Sequence, residues 1–225
     1  MPSKKKSPNN VINDPTKSLQ TFSLLDLQPF TQEQVYSTNA SKDFHLFYVG
    51  RDNVHEILKY VLSRVSVSLY LNMFGFDDDE LNDIVMTIAR DDTILTVITL
   101  DKSQAGGKHE KALLDSDVAK DPAMYNTHIV SGTQMAKFVV GESATHQISH
   151  TKGFVADSKV GAEGSTNWSA SGEGTFVVKG QAGGAGYKAQ NNTQSIFVDA
   201  DTIGRFTAEL LREHLAAQSQ GFVPK

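Results

Sequence analysis

The stretch HTKGFVADSKVGAEGSTN, residues 150–167, is the part of the chain from which the fold can be predicted. Residues 148–156 predict a β-strand, and Asp157-Ser158-Lys159 favours a tight turn after it. A second short strand then runs back toward Gly164. Side chains two residues apart on a strand point to the same side, so this arrangement brings His150 and Lys152 together.

Six positions in this stretch form a spaced pattern. The pattern reads H-x-K, four residues, D, six residues and G-S-x-N, and its members are His150, Lys152, Asp157, Gly164, Ser165 and Asn167. It resembles the signature of the phospholipase D superfamily. A histidine and a lysine two apart are often only a solvated strand face. The complete pattern is much harder to reach by chance, so we interpret it as a catalytic site.

The residue types in the pattern suit hydrolysis of a phosphodiester. The neutral imidazole of His150 can attack phosphorus, which splits the reaction into formation of a covalent phosphohistidine and its hydrolysis by water. The ammonium of Lys152 binds the non-bridging oxygens. Ser165 and Asn167 are further donors to the same phosphate. The resemblance implies a metal-independent phosphodiesterase in which these four residues and Asp157 are catalytic.

A second H-x-K occurs upstream, at His109-Glu110-Lys111, and Asp115 follows it after three residues instead of four. No G-S-x-N comes after it. Residues 108–114 look helical, which would turn His109 and Lys111 to different faces. We therefore interpret this segment as a surface helix and count one motif in the chain.

Four further residues are predicted to contact or support the phosphate. Gly164 lets the backbone approach closely, and Lys188 belongs to a glycine-rich loop beside the site. Members of the superfamily often carry N-x-E-N before the last strand, and this chain has Gln194 in place of that glutamate. A neutral amide does not raise the basicity of His150 as a carboxylate does. Either Glu173 supplies the carboxylate, or the site works with weaker support.

The rest of the chain alternates predicted strands and helices. Strands are predicted at 44–49, 65–71, 93–100, about 128–130 and 195–198, and helices at about 54–64, 77 onward, 108–114 and 202–218. In this superfamily a strand ending in D-x-x-Q commonly precedes the catalytic strand, and Asp101 and Gln104 fit that layout. Together these features predict an α/β fold, a phospholipase D-like mixed β-sheet flanked by helices in an α-β-α sandwich.

An acidic run, Asp77-Asp78-Asp79-Glu80, opens the second predicted helix. Carboxylates at this position suit the positive end of the helix dipole. Such a run also resembles a metal site built from oxygen ligands. We favour capping, because one helix start explains all four residues and no histidine of obvious ligand spacing accompanies them. We therefore expect no metal and no cofactor.

Composition limits the architecture and the partners. The chain has 225 residues, enough for one sizeable domain. Residues 1–18 are predicted to be a disordered basic arm, and residues 19–225 one catalytic domain. With 21 basic and 26 acidic residues, net charge −5, the chain has no general attraction to nucleic acid, so any polyanion site must be a local patch. The absence of cysteine excludes disulfides and thiolate metal sites.

The sequence has neither an apolar run of ~20 residues nor the apolar core of a signal peptide. We expect a protein without stable membrane insertion, cytoplasmic or exported without a cleaved signal. The resemblance to the small bacterial single-motif endonucleases of this superfamily implies a two-fold homodimer with one His150 from each subunit across a common cleft. Nucleic acid is the favoured substrate and phospholipid headgroups the second. A non-catalytic binding module with the same fold is a further alternative.

Overall fold

The computed structural model of the chain describes residues 18–104, 127–130 and 133–220. The predicted N-terminal arm, apart from Ser18, lies outside these ranges. The predicted helix at 108–114, with its H-x-K sequence, lies outside them as well. Ser18 begins the described chain by capping a 3₁₀ segment at Leu19–Thr21, and a second 3₁₀ segment follows at Leu24–Phe30.

Seven of the described strands form one mixed sheet, in the order β1-β9-β8-β7-β2-β3-β6. Their bounds are β1 Phe44–Tyr48, β2 Ser68–Met73, β3 Leu95–Asp101, β6 Phe138–Gly141, β7 Lys152–Ala156, β8 Val160–Gly164 and β9 Thr193–Phe197. The pairs β2–β3 and β3–β6 are parallel, and the other pairs of this sheet are antiparallel. In a separate two-stranded sheet, β4, Thr127–Val130, pairs antiparallel with β5, Thr133–Ala136.

Helices lie on both faces of the large sheet. Their bounds are α1 Val54–Leu62, α2 Asp79–Arg90, α3 Ala170–Glu173, α4 Thr175–Val178 and α5 Ala200–Ser219. Polar side chains cap the longer ones: Asn53 accepts from Glu56 N at 3.3 Å and Asp78 accepts from Leu81 N at 2.8 Å. Asp199 does the same for α5. These caps satisfy amides that have no partner within the helix.

The strand β7 shows how the sheet is buried on both sides. Phe154 and Ala156 point into the larger core, which α1 and α2 complete. Val155 points to the other face, where it packs with Ile203 and Leu210 of α5. Strands buried on both faces carry apolar residues almost continuously instead of alternating. The predicted α/β fold with a mixed sheet between helices is therefore confirmed.

Two strand boundaries differ from the sequence-based expectation. The strand β2 begins at Ser68 instead of residue 65, because the preceding amides bind the carboxylate of Asp157. The strand β7 begins at Lys152, so residues 142–151 form a loop. His146 lies in a turn of that loop with φ 58°. Within the described ranges, no helix is both long and apolar enough to cross a membrane.

Candidate active site

His150 and Lys152 meet around the ring of Phe74, at the start of β7. The His150 and Phe74 ring centroids are 4.5 Å apart, and Lys152 Nζ lies 4.7 Å from the Phe74 centroid. Phe74 follows β2 directly, where Met73 pairs with Lys152 in the sheet. His150 lies just before the strand, not on it as expected, but the two predicted side chains are nevertheless brought together.

The Lys152 ammonium is held inside the protein while His150 is exposed. Lys152 has a relative exposure of 3%. Its Nζ donates to the backbone oxygen of His150 at 2.7 Å, which leaves two of its three protons for other acceptors. Burial lowers the pKa of Lys152, and the charges of Asp101 and Glu163 oppose that effect. The His150 ring has no hydrogen-bond partner among the described residues, so its nitrogens are open to a substrate.

A buried polar network fixes the backbone next to His150. Asp101, at the end of β3, accepts from Ser149 N at 2.5 Å through Oδ2. Its Oδ1 accepts from the Ser103 amide at 2.8 Å and from the Ser103 hydroxyl. Ser149 Oγ donates to Asn72 Oδ1 at 3.2 Å. The D-x-x-Q layout therefore has a local role, because its aspartate holds the residue before the candidate nucleophile.

Asn167 packs against the segment that carries Phe74. A Cβ atom placed on Gly75 would lie 3.1 Å from Asn167 Cγ, which is tighter than most real contacts. The next residue, Trp168, donates from its amide to Gly75 O at 2.8 Å. Residues 74 and 75 thus connect Asn167 to His150 and Lys152, and three of the predicted catalytic side chains surround one short segment.

Gly164 and Ser165 form the edge of the site where β8 meets β9. A Cβ atom at Gly164 would clash with the carbonyl oxygen of Thr193, so only glycine fits. The Ser165 hydroxyl donates to Asn192 Oδ1 at 3.2 Å and accepts from Thr193 N at 3.0 Å. In this structure the Ser165 hydroxyl is therefore engaged by residues 192 and 193, where β9 begins.

Gln194 occupies the predicted support position at this edge. It is buried in β9 and pairs with Gly164 of β8. Its Nε2 donates to Ser195 O at 3.2 Å, while its Oε1 is buried without a hydrogen-bond partner. Asn167 Oδ1 and Asn72 Nδ2 are buried and unpaired too. Buried polar groups normally have partners, so three unsatisfied amide groups at one end of the sheet mark it as a place for a polar ligand.

Asp157 lies outside the site, which corrects the prediction that it is catalytic. It follows β7 at the end opposite Lys152, a separation of ~16 Å along the strand. Its carboxylate accepts from the amides of Ser66, Val67 and Ser68 at 2.8–3.1 Å. It also begins the turn at φ 51°. Asp157 fastens the far end of the hairpin, and a phosphate held by His150 would not reach it.

Glu173, one of the two alternatives for supporting the catalytic residues, has no hydrogen bond or ion pair with His150 among the described residues. It is the last residue of α3, it is fully buried, and its Oε2 accepts from His55 Nδ1. The capping role predicted for the acidic run is confirmed, since Asp78 caps α2. No histidine of obvious ligand spacing accompanies this run in the sequence, but the fold brings His55 of α1 to it, with Nδ1 3.6 Å from Asp78 Oδ2.

The glycine-rich loop after α4 holds Lys188 at the surface. The neighbouring Tyr187 is anchored: its ring packs edge-on to Phe176 with centroids 4.9 Å apart, and its hydroxyl donates to Ala170 O at 3.2 Å. Lys188 thus stands on a fixed point of the loop, next to the helix that follows Asn167. It remains a predicted substrate contact.

Sequence reasoning missed two contributors to the site. Phe74 contacts both His150 and Lys152, but nothing in its sequence context distinguishes it from a core aromatic residue. Ser149 connects Asp101 to Asn72 and lies inside a segment that resembles a strand. The signal for Ser149 was its position directly before the motif, because residues next to a nucleophile set its backbone.

No protein-family model and no curated protein matches the sequence. Solved structures do match the fold. The phospholipase D family member Nuc from Salmonella typhimurium has a TM-score of 0.50 at 14% identity, covering 76% of this chain and 92% of that one. NucT from Helicobacter pylori has a TM-score of 0.50 at 14% identity, covering 77% and 96%. At this identity the likeness concerns architecture alone, and that architecture is the phospholipase D-like fold.

Proposed function

We propose that this chain is a metal-independent phosphodiesterase that cleaves nucleic acid through a covalent phosphohistidine on His150. The observation that carries the proposal is that an exposed imidazole, His150, and a buried ammonium, Lys152, both lie against the ring of Phe74. Asn167 packs against the same segment. These side chains match the three functional types that the H-x-K and G-S-x-N pattern requires.

In the proposed reaction, a ring nitrogen of His150 forms a bond to phosphorus while the bond from phosphorus to the leaving oxygen breaks. Lys152 has two protons left for the non-bridging oxygens, and its low-dielectric surroundings strengthen that attraction. Asn167 adds a neutral hydrogen bond. Water then attacks the phosphohistidine and releases the second product with regenerated His150.

The leaving oxygen needs a proton, and we propose that His150 of a second copy supplies it in a two-fold dimer. Support comes from the open setting of this histidine: within the described residues its ring makes neither a hydrogen bond nor an ion pair. Ile148, two residues before it, is 56% exposed. An exposed apolar residue at the rim suits contact with another subunit.

Nucleic acid is favoured over phospholipid because of the resemblance to the small single-motif endonucleases. Lys179 and Lys188 are exposed on the loop beside α4. They offer local positive charge on a chain whose net charge is −5. A local patch of this kind would contact backbone phosphates without sequence preference.

The deciding experiment is cleavage of supercoiled plasmid in excess chelator, below the unfolding temperature measured in the same buffer. The native protein should cleave, His150→Ala should not, and His146→Ala, from the same loop, should cleave like the native protein. Acid-quenched labelling with a phosphodiester should give a phosphohistidine at His150. Release of a lipid headgroup without plasmid cleavage would favour a phospholipase. Binding without turnover or labelling would favour a binding module.

The dimer is tested by mixing native protein with His150→Ala after subunit exchange. If both histidines are needed, activity should fall as the square of the native fraction, because mixed dimers are inactive. If each subunit acts alone, activity should fall in direct proportion. A monomeric mass in solution with full activity would contradict the shared site.

A further inference from the structure

A second cluster of ionisable side chains lies where three helices meet. His55 stands in the first turn of α1, Asp78 caps α2, and Glu173 ends α3. One donor atom from each of these residues lies within 4.8 Å of the other two. His55 and Glu173 are buried, and Asp78 is mostly so. Among the described residues, no hydrogen bond or ion pair joins this cluster to His150 or Lys152.

The two inner carboxylates share a single cation. His55 Nδ1 donates to Glu173 Oε2 and lies 3.6 Å from Asp78 Oδ2. The other nearby cation, Lys59, is engaged by Glu80 at 2.6 Å and by the carboxylate of its own helix at 3.1 Å. Burying carboxylates costs free energy unless positive charge lies close to them. One imidazolium between two buried carboxylates leaves the cluster short of positive charge.

Glu173 provides an independent observation. Its side chain has 0% exposure, and its Oε1 atom is buried with no hydrogen-bond partner in the described part of the chain. The other oxygen of the same carboxylate bonds His55, so the group is directed into the cluster. A closed ion-pair network would satisfy both oxygens. The unsatisfied oxygen therefore points to a further ligand.

The remaining contacts hold the donor atoms in position. Glu80 Oε2 accepts from His55 Nε2 at 3.0 Å. Metal-binding histidines commonly donate their second N–H to a carboxylate, which leaves the other nitrogen free to ligate. Asp78 Oδ1 accepts from Leu81 N at 2.8 Å, so its Oδ2 stays near His55. The 3.6 Å between Nδ1 and Oδ2 is close to the roughly 3.3 Å that separates two ligands around a tetrahedral zinc ion. His55 Nδ1 and Glu173 Oε2 lie closer than that in their hydrogen bond, so these two atoms must separate when an ion takes the place of the proton.

We propose that His55, Asp78 and Glu173 bind one divalent transition-metal ion of the zinc class. A donor set of imidazole and carboxylates favours Zn²⁺, Co²⁺ or Mn²⁺, whereas Ca²⁺ and Mg²⁺ take oxygen ligands. The ion replaces the proton between His55 and Glu173 and leaves a fourth position for water. It ties α1, α2 and α3 together. The site is separate from the reaction proposed at His150 and does not depend on it.

The test uses the full chain, stripped of metal and then titrated with Zn²⁺, Co²⁺ and Mn²⁺. At least one of these ions should be retained at one equivalent after gel filtration, and at saturation it should raise Tm by about 5 °C or more. Glu173→Gln keeps the size of the side chain and removes its charge, so it should lose both effects. His146→Gln changes a histidine that is exposed at the surface and should keep both.

Failure of all three ions to bind would overturn the proposal, as would equal binding by Glu173→Gln and native protein. If circular dichroism shows that Glu173→Gln does not fold, X-ray absorption at the metal edge of the native protein decides. One imidazole with oxygen donors supports the site. Several imidazoles, or oxygen donors alone, would place the ion elsewhere.

Discussion

His150 and His55 have opposite surroundings in the same fold. His150 is exposed, its ring lies against Phe74, and both of its nitrogens are open. His55 is buried, and its two nitrogens face the carboxylates of Glu173 and Glu80. An open imidazole can reach a substrate, whereas a buried one among carboxylates stays charged or binds a cation. The neighbours, not the residue type, decide what each histidine can do.

The pKa values of the buried groups also depend on their neighbours. Burial lowers the pKa of His55, but hydrogen bonds to Glu173 and Glu80 and the charges around it raise that pKa to about 9. Burial raises the pKa of Glu173 to about 7, against the hydrogen bond from His55. A third histidine, His214 of α5, is buried with its ring nitrogens bonded to the Thr99 hydroxyl and the Ala136 carbonyl, not to a carboxylate. Burial lowers its pKa to about 4. Two buried histidines therefore differ in charge at neutral pH: His55 is charged and His214 is neutral.

The largest effect should come from His150→Ala, which removes the proposed nucleophile. We expect kcat for diester cleavage to fall by roughly 1000-fold or more. Initial rates on plasmid and on a chromogenic phosphodiester measure it. His146→Ala is the matched control, because His146 is exposed in the same loop. Rates close to native for His150→Ala would remove His150 from the reaction.

His55→Ala should act on stability. Removing one partner of a buried charge pair leaves the carboxylate of Glu173 without its cation, at a cost of about 3–5 kcal/mol in the free energy of unfolding. Urea unfolding at pH 7 in chelator measures this change. The exposed His146→Ala should shift the same free energy by less than about 0.5 kcal/mol. Equal stabilities of the two variants would mean that the His55 cluster contributes little.

His214 should weaken the fold in acid. Its pKa is 6.5 in its ordinary state and about 4 when folded, so the unfolded chain binds more protons between these values. The contribution is fully present above pH 6.5 and is lost as pH falls toward 4, by up to about 3 kcal/mol. His214→Gln should flatten this acid limb in urea titrations at several pH values. An unchanged pH slope in the variant would assign the limb to other groups.

Asp157→Asn tests whether this member of the motif contributes to stability and not to catalysis. The carboxylate accepts from the amides of Ser66, Val67 and Ser68, so we expect a loss of about 2 kcal/mol in unfolding free energy. The kcat of the folded variant should stay at the native value. A large fall in kcat with unchanged stability would return Asp157 to the reaction.

Asp101→Asn should have the smallest effect, a fall of about tenfold in kcat. The new amide NH₂ group faces the backbone N–H of Ser149 or Ser103, from which it cannot accept a hydrogen bond. The resulting shift displaces the backbone beside His150. Asp101 also raises the pKa of Lys152. Its loss should therefore move the basic limb of the kcat–pH profile to lower pH. Asp201→Asn, at an exposed aspartate of α5, is the control and should change neither.

The sequence alone was sufficient to predict the class of fold and the proximity of His150 to Lys152. Apolar runs fix where strands form, because a buried strand needs apolar side chains on both faces. Helix starts were predictable at Asn53 and Asp78 for a local reason, since a cap bonds amides two or three residues away. The spacing of the motif then placed His150 beside Lys152 within one local segment.

Tertiary structure alone decided the rest. Asp157 lies outside the site because the length of β7 separates it from Lys152. Glu173 pairs with His55, 118 residues earlier in the chain, and Phe74 reached His150 through the pairing of β2 with β7. Local spacing specifies only contacts within a turn or a strand. Contacts between distant segments depend on strand order and helix packing, which the burial of the whole core selects.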